Sequence, residues 1–235
     1  MGGTEDFAAH EVKVFTLLAR AGFSPATIFD IGASNGTWSA LVNDVFPQAA
    51  FHMFEPLAKL NEDFARGLEW QTRWRPSLTL HEVALGAKCK RVTMRIHADG
   101  FSSTTLDMGG HPEYQTRRSV PQFTLDRYVH DHGLALPDLI KLDVQGAEVA
   151  VLSQAKRCLE RAEVVFAETW FTRGYGRRTP LITELGTLLD RHDFHLVELG
   201  HRFYDGIHRL SGCDAFFLKR SFLERVAPVM PGGPW

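Results

Sequence analysis

The stretch Ile28-Phe29-Asp30-Ile31-Gly32-Ala33-Ser34-Asn35-Gly36 constrains this chain more than any other, because an apolar run ends in an acid and then in spaced glycines. The run reads as a buried strand, and Thr37-Trp38-Ser39-Ala40-Leu41-Val42 as the opening of a helix. A strand that turns at once into a helix through glycines brings backbone N–H groups close to a ligand. The spacing is Asp-x-Gly-x-x-x-Gly, which lacks the third glycine of a dinucleotide fingerprint. A carboxylate at the strand end would repel a pyrophosphate and suits a cationic or zwitterionic ligand.

A second acid narrows the ligand. Ala49-Ala50-Phe51-His52-Met53-Phe54 reads as the next strand and ends at Glu55-Pro56, 25 residues after Asp30. An acid at roughly a 20-residue interval, at the end of the second strand, hydrogen-bonds a ribose in nucleotide sites. That role is common to NAD and S-adenosylmethionine. Asp30 and Glu55 as mere helix caps is the competing reading, and their places at strand ends speak against it. A third strand end follows in Asp138-Leu139-Ile140-Lys141-Leu142-Asp143-Val144-Gln145-Gly146-Ala147-Glu148, where Glu148 opens a helix at the favourable end of its dipole.

In these residues the chain resembles the FkbM-type methyltransferases, whose pattern runs D-[IV]-G-A-[NS]-x-G, F-E-P, A-L, T-L-D and K-[IL]-D-[VI]-E-G-A-E. Here the ordered set is Asp30 to Gly36, Phe54-Glu55-Pro56, Ala84-Leu85, Thr124-Leu125-Asp126 and Lys141 to Glu148, and the resemblance spans about residues 26 to 218. Ser34 stands where Asn is commoner, and Gln145 stands where Glu is usual, removing a charge beside Asp143. The resemblance implies an α/β fold, a class I (Rossmann-like) methyltransferase sandwich with a seven-stranded, mostly parallel sheet and an antiparallel last strand. It implies S-adenosylmethionine as donor, with Asp30, Gly32, Ser34, Asn35, Gly36, Glu55, Pro56, Glu82, Val83, Ala84, Ser102, Ser103, Asp143 and Val144 as its contacts. Acceptors in such a family are hydroxyls on sugars, glycans or polyketides. The alternatives are an NAD-dependent oxidoreductase and a donor-binding protein without turnover.

The alternation of patterns agrees. Strands are expected near 27–31, 49–54, 78–84, 92–96, 138–143, 163–168, 194–199 and 214–218, with helices near 37–46, from Ala58, near 147–159 and near 180–191. An amphipathic helix carrying Phe7, Val12, Val14, Phe15, Leu17 and Leu18 precedes them and stops at Ala21-Gly22. At 235 residues the chain is read as one domain, with an N-terminal helix (1–22), a catalytic core (26–218) and a Pro/Gly-rich tail (228–235) that frays or packs on a neighbour. A net charge of −2 argues against a nucleic-acid partner. No apolar run approaches the ~18 residues of a membrane span, and no leader pattern is visible, so a cytoplasmic protein is expected. Asp6 stands where the Met1-Gly2-Gly3 start would need Ser or Thr for lipidation. Cys89, Cys158 and Cys213 are read as reduced core cysteines.

For the chemistry, Asp143 and Glu168 are neighbouring strand-end carboxylates, expected to orient or deprotonate the acceptor hydroxyl. They also form a two-oxygen set that Mg²⁺ would accept, an undemanding signature carried beside the metal-free arrangement. Lys141 is expected to pair with a carboxylate. The irregular stretches 99–119 and 169–180 are expected to overhang the site. Trp170, Phe171 and Tyr175, interleaved with Arg173, Arg177 and Arg178, form a candidate acceptor platform, and His201, a catalytic candidate that follows the sixth strand, is expected with Tyr204 and Arg209 to contact the acceptor. A packed loop with a basic rim is the alternative. His130, His132, His192 and His195 lack zinc spacing. Trp70 and Trp74 are read as surface packing or the contact of a homodimer.

Overall fold

The fold is organised around β1 (Thr27–Ile31), whose five residues are all buried. The structure is a computed structural model that describes residues 5–114 and 116–226. β1 pairs in parallel with β2 (Ala50–Phe54) on one side and with β7 (Leu139–Leu142) on the other. β3 (Leu78–His81) extends the sheet beyond β2, and β8 (Val164–Trp170) extends it beyond β7. The last two strands, β9 (Phe194–Tyr204) and β10 (Leu210–Lys219), form a hairpin, with β10 antiparallel to both β8 and β9. The order β3-β2-β1-β7-β8-β10-β9 gives the seven-stranded, mostly parallel sheet that was expected, including the reversed last strand.

Apolar side chains of β1 alternate across the sheet and so feed two cores. Ile28 joins Phe15, Phe46, Phe166 and Phe216 on one face, while Phe29 and Ile31 join Phe54, Leu142, Leu159 and Phe217 on the other. Helix α1 (Glu5–Arg20) covers the first face, where Phe15 meets Phe216 and Phe166 edge-on at 5.3 and 5.9 Å. Helix α2 (Thr37–Val45) follows the glycine turn. α3 (Glu62–Trp74) starts later than Ala58 because Asn61 caps it, accepting from the N–H groups of Asp63 and Phe64.

The extra strand expected at 92–96 is present, while its partners and the helix after β7 depart from the sequence expectation. β4 (Ala84–Leu85), β5 (Lys90–Ile96) and β6 (Thr116–Phe123) form a separate small sheet, and β6 falls partly in a stretch expected to be irregular. Its first four residues, Thr116-Arg117-Arg118-Ser119, are exposed, so no apolar alternation marks them. The helix expected at 147–159 is two, α5 (Glu148–Leu152) and α6 (Lys156–Arg161). The break follows from Asp126, at the start of α4 (Leu125–Asp131), whose carboxylate accepts from the N–H groups of Arg157 and Cys158 and so starts a new helix there. The Thr-Leu-Asp motif is thereby explained as a structural latch. α7 (Ile182–Asp190) lies between β8 and β9, and α8 (Arg220–Val226) follows β10. The tail at 228–235 lies outside the described residues. Cys158 and Cys213 are buried free thiols as expected, whereas Cys89 is exposed, since it sits in the turn before β5.

Candidate functional site

A cavity of about 500 Å³ opens at the carboxyl ends of β1, β2, β7 and β8, where open α/β sheets bind ligands. Of the residues singled out from the sequence, Gly32, Ser34, Glu55, Pro56, Val83, Ala84, Ser102, Ser103, Asp143, Val144, Glu168, Trp170, Tyr175 and Tyr204 line it. The glycine turn is built by close backbone approach. Gly32 has φ +84°, and a Cβ there would lie 1.9 Å from the Asp143 carbonyl oxygen, so only glycine fits. Gly36 also has φ +79°, but it opens α2 and packs towards Leu68 and Gln71 instead of lining the cavity.

Glu55 closes the turn from the side. Its two carboxylate oxygens accept the N–H groups of Ser34 at 2.9 Å and Leu57 at 2.7 Å. Burial nevertheless pushes its pKa up to about 7, with those two hydrogen bonds pulling the other way. Glu148 is built alike: it is buried, it accepts from the N–H groups of Val144 and Gly146, and burial raises its pKa to about 7. Both acids fix the loops that carry the cavity wall.

Asp30 departs from its expected place. It lies inside β1, one residue before the strand's end, so its side chain points into the face beneath α1 and lines neither of the site's cavities. It is fully buried, paired with Lys141 Nζ at 2.9 Å and accepting from Ser39 Oγ at 2.7 Å. Lys141, its register neighbour on β7, also donates to the Gly32 carbonyl at 2.6 Å and stands 3.7 Å from Asp143. Burial opposes the ammonium charge, but Asp30 and Asp143 outweigh it and hold the Lys141 pKa above its ordinary value. The expected pairing of Lys141 with a carboxylate is therefore observed, and Asp30 acts through that pairing.

Four further residues sit elsewhere than expected. Glu82 points to the surface and pairs with Lys59 at 2.7 Å, because β3 ends at His81 and the side chain turns outward. Asn35 caps the glycine turn by accepting from Thr37 N–H and lines a neighbouring cavity, not the large one. Arg173 spans to α7, donating to the Glu184 carboxylate and the Thr179 carbonyl, so it anchors the 169–180 loop. His201 lies on β9 beside the Phe203 ring, off the cavity wall.

The acceptor platform is only partly assembled. Trp170 lines the cavity, with Tyr175 edge-on at 5.2 Å and Phe203 at 5.8 Å. Tyr175 itself is buried, and its hydroxyl donates to the Gln145 side-chain oxygen, while the Gln145 amide donates to Asp143. Burial and the nearby Glu168 raise its phenol pKa far above the usual value. Arg177 and Arg178 stay at the surface. From the 99–119 stretch, Gly100, Phe101, Ser102, Ser103 and Thr105 form one wall, held by Arg95 bonding Asp107 and the Leu106 carbonyl and by Tyr114 bonding the Ser102 carbonyl.

The structure lends the Mg²⁺ alternative no support. Burial, with the charges of Asp143, Glu148 and Asp214 behind it, raises the Glu168 pKa well above its ordinary value. Asp143 is already engaged by Gln145 and faces Lys141. Among the described residues, no group of three or more His, Cys, Asp or Glu side chains is disposed to hold an ion.

A second cavity, about 270 Å³, adjoins the first through Gly32, Ser34, Asp143, Glu168 and Phe203. Its other walls include Glu11, Trp38, Lys141, Phe166 and Asp214. Sequence reasoning missed Glu11, Trp38 and Asp214, which belong to no motif and are brought together by the packing of α1 on the sheet.

Residues 30–203 match the family described as the Methyltransferase FkbM domain. A 2-O-methyltransferase, NoeI, from Sinorhizobium fredii (strain NBRC 101917 / NGR234) is 27% identical over 167 residues, covering 66% of this chain and 67% of NoeI. The crystal structure of a Methyltransferase FkbM from Methylobacillus flagellatus KT superposes with a TM-score of 0.51 at 18% identity, over 81% of this chain and 43% of that one. This chain thus spans less than half the length of that solved relative, with which it shares the fold. No helix among the described residues is long and apolar enough to cross a membrane. A family match over most of the chain decides its membership: the protein belongs to the FkbM family of methyltransferases.

Proposed function

We propose that this protein transfers a methyl group from S-adenosylmethionine to a hydroxyl of a sugar, glycan or polyketide-type small molecule. The observation that carries the reading is the 500 Å³ cavity, whose wall brings the glycine turn, Glu55 and Asp143 together with Trp170 and Tyr204. Gly32, Ser34 and Glu55 would hold the adenosyl part, with Val83, Ala84, Ser102, Ser103 and Val144 around the base. The 2-O-methyltransferase name of NoeI supports oxygen as the methylated atom. Residues 26–218 are treated as one catalytic unit.

When bound, the donor supplies an electrophilic sulfonium methyl. This chain's own task is then to hold the acceptor hydroxyl in line and to receive its proton. Asp143 is the group for both tasks in this reading. Gln145 fixes one of its oxygens, and Tyr175 fixes Gln145, so the carboxylate has one orientation. Glu168 stands beside it, its pKa raised by burial and then by the charges of Asp143, Glu148 and Asp214. Asp143→Asn is expected to keep donor affinity within about twofold and to lower kcat by roughly 10²–10⁴. Calorimetry with S-adenosylmethionine and turnover on a panel of sugar and polyketide hydroxyls test this, and a variant at full speed would discard the role. Turnover is expected to be unchanged by EDTA, since Asp143 serves without a metal in this reading; loss restored by Mg²⁺ would reverse that conclusion.

A further inference from the structure

The hairpin that joins β9 to β10 carries apolar side chains that its turn does not require. The turn is closed by its own polar groups. The Asp205 N–H donates to the Arg209 carbonyl and the His208 N–H to the Asp205 carbonyl, each at 2.9 Å. The Asp205 carboxylate accepts from the N–H groups of Ile207 and Arg209 and from the Arg209 guanidinium. An aspartate that holds the backbone of a turn in this way is sufficient for its shape, and a branched apolar side chain adds nothing to it. Yet Ile207 stands in the middle of the turn with 78% of its surface accessible. Tyr204 and Leu210, cross-strand partners at the base of the turn, are exposed as well. Phe171 is a fourth exposed apolar residue, and its N–H donates to the Ser211 carbonyl at 2.8 Å, which fastens it to the hairpin.

This apolar surface is continuous with the site. Phe203, Tyr204 and Ser211 line the large cavity, whereas Phe171, Ile207 and Leu210 lie outside it. A molecule whose hydroxyl has reached Asp143 leaves its remainder outside the cavity, and the surface that begins at Tyr204 is there to meet it. Exposed apolar patches of this kind mark binding surfaces. A glycan chain would find few partners on it, because Asp205 and the backbone of the turn are spent on one another. A hydrocarbon chain needs none. We propose that the methyl acceptor carries an apolar arm beside its methylated unit, and that Tyr204, Ile207, Leu210 and Phe171 seat that arm. The inference rests on the proposed methyl transfer and narrows its substrate class to amphiphiles, with the β9–β10 hairpin as the element that selects them.

The test uses two probes that share a sugar and differ in the arm: n-octyl β-D-glucopyranoside, kept below its micelle concentration, and methyl β-D-glucopyranoside. Each is titrated calorimetrically into full-length wild type, Ile207→Ser and Leu210→Ser, all saturated with S-adenosylhomocysteine. Wild type is expected to bind the octyl probe at least about tenfold more tightly than the methyl probe, and each variant to lose about fivefold for the octyl probe alone. Both variants should bind S-adenosylhomocysteine as wild type does, which reports that they are folded. Equal affinity of wild type for the two probes, or an octyl affinity that neither variant alters, would overturn the apolar arm and leave methyl transfer intact. If the octyl affinity is unaltered but Ile207→Ser abolishes pelleting with phosphatidylcholine vesicles, the surface belongs to a membrane and the arm is overturned. If instead that variant dissociates a dimer seen by light scattering, the surface belongs to a second copy, with the same consequence. Wild type that fails to bind S-adenosylhomocysteine would remove the methyl-transfer reading itself, and the arm with it.

Discussion

Gly32 shows how one residue joins strand, loop and site. Its positive φ and the Asp143 carbonyl, 1.9 Å from where a Cβ would sit, leave no room for a side chain. Gly32→Ala is therefore expected to destabilise the fold by at least about 1–2 kcal/mol and to displace Asp143. Urea unfolding would measure the first effect and turnover the second; a variant as stable and active as wild type would contradict the close approach. Glycine at this position was legible in the sequence because no other residue makes the turn. So were Glu55 and Asp143, which sit just past strand ends. Asp30 was misjudged by a single position: it is the residue before the end of β1, and the alternation of side chains along a strand sends it inward to Lys141. Gln145 read as a lost charge, whereas the fold makes it the amide between Tyr175 and Asp143. That role depends on a residue 30 positions away and leaves no local signal.

At the scale of elements, strands bearing apolar runs were legible, and those defined by partners were not. β6 is held by pairing with β5 and β4 while its outer end is charged, and α6 is separated from α5 by a cap from the start of α4. The same dependence on partners produces a histidine pair on β2 and β3 that no motif announced. His52 Nδ1 lies 2.9 Å from His81 Nε2, and His81 Nδ1 lies 3.1 Å from the Tyr128 hydroxyl. Burial, then the neighbouring His52 and His132, lowers the His81 pKa to about 4. The unfolded chain, with an ordinary value near 6.5, binds more protons between these limits. The contribution of neutral His81 is thus full above pH 6.5 and is lost as pH falls towards 4. Allowing for solvent screening, the loss is about 1–2 kcal/mol. Urea midpoints recorded from pH 7 to pH 4.5 should fall more steeply for wild type than for His81→Gln, and parallel curves would dismiss the linkage.

Across the whole molecule the sheet divides the proposed labour. Strands β1 to β3 and the turns after them wall the donor end, while β8 and the β9–β10 hairpin contribute Trp170, Phe203, Tyr204 and Ser211 to the other end. The donor half was readable because close backbone approach demands glycines and acids at fixed spacing. The acceptor half was readable in part: Trp170, Tyr175 and Tyr204 were singled out and line the cavity, whereas Phe203 and Ser211, placed there only by the pairing of β9 and β10, were not. Tyr175 turned inward, and Tyr204 remained exposed at the mouth with 56% of its surface accessible. This division makes a prediction about coupling. Tyr204→Ala should raise the acceptor KM about tenfold with little change in the donor's, because it removes an aromatic face at one end only. Glu55→Ala should do the reverse, weakening donor binding by about 1.5–3 kcal/mol through lost charge-assisted hydrogen bonds. It should also lower stability, since the Ser34 and Leu57 N–H groups lose their partner. The two residues stand at opposite ends of the cavity with no common partner, so the effects on kcat/KM should add within about 0.5 kcal/mol in the double variant. A coupling above about 1 kcal/mol would show that the two halves respond as one unit, and the division of labour across the sheet would have to be abandoned.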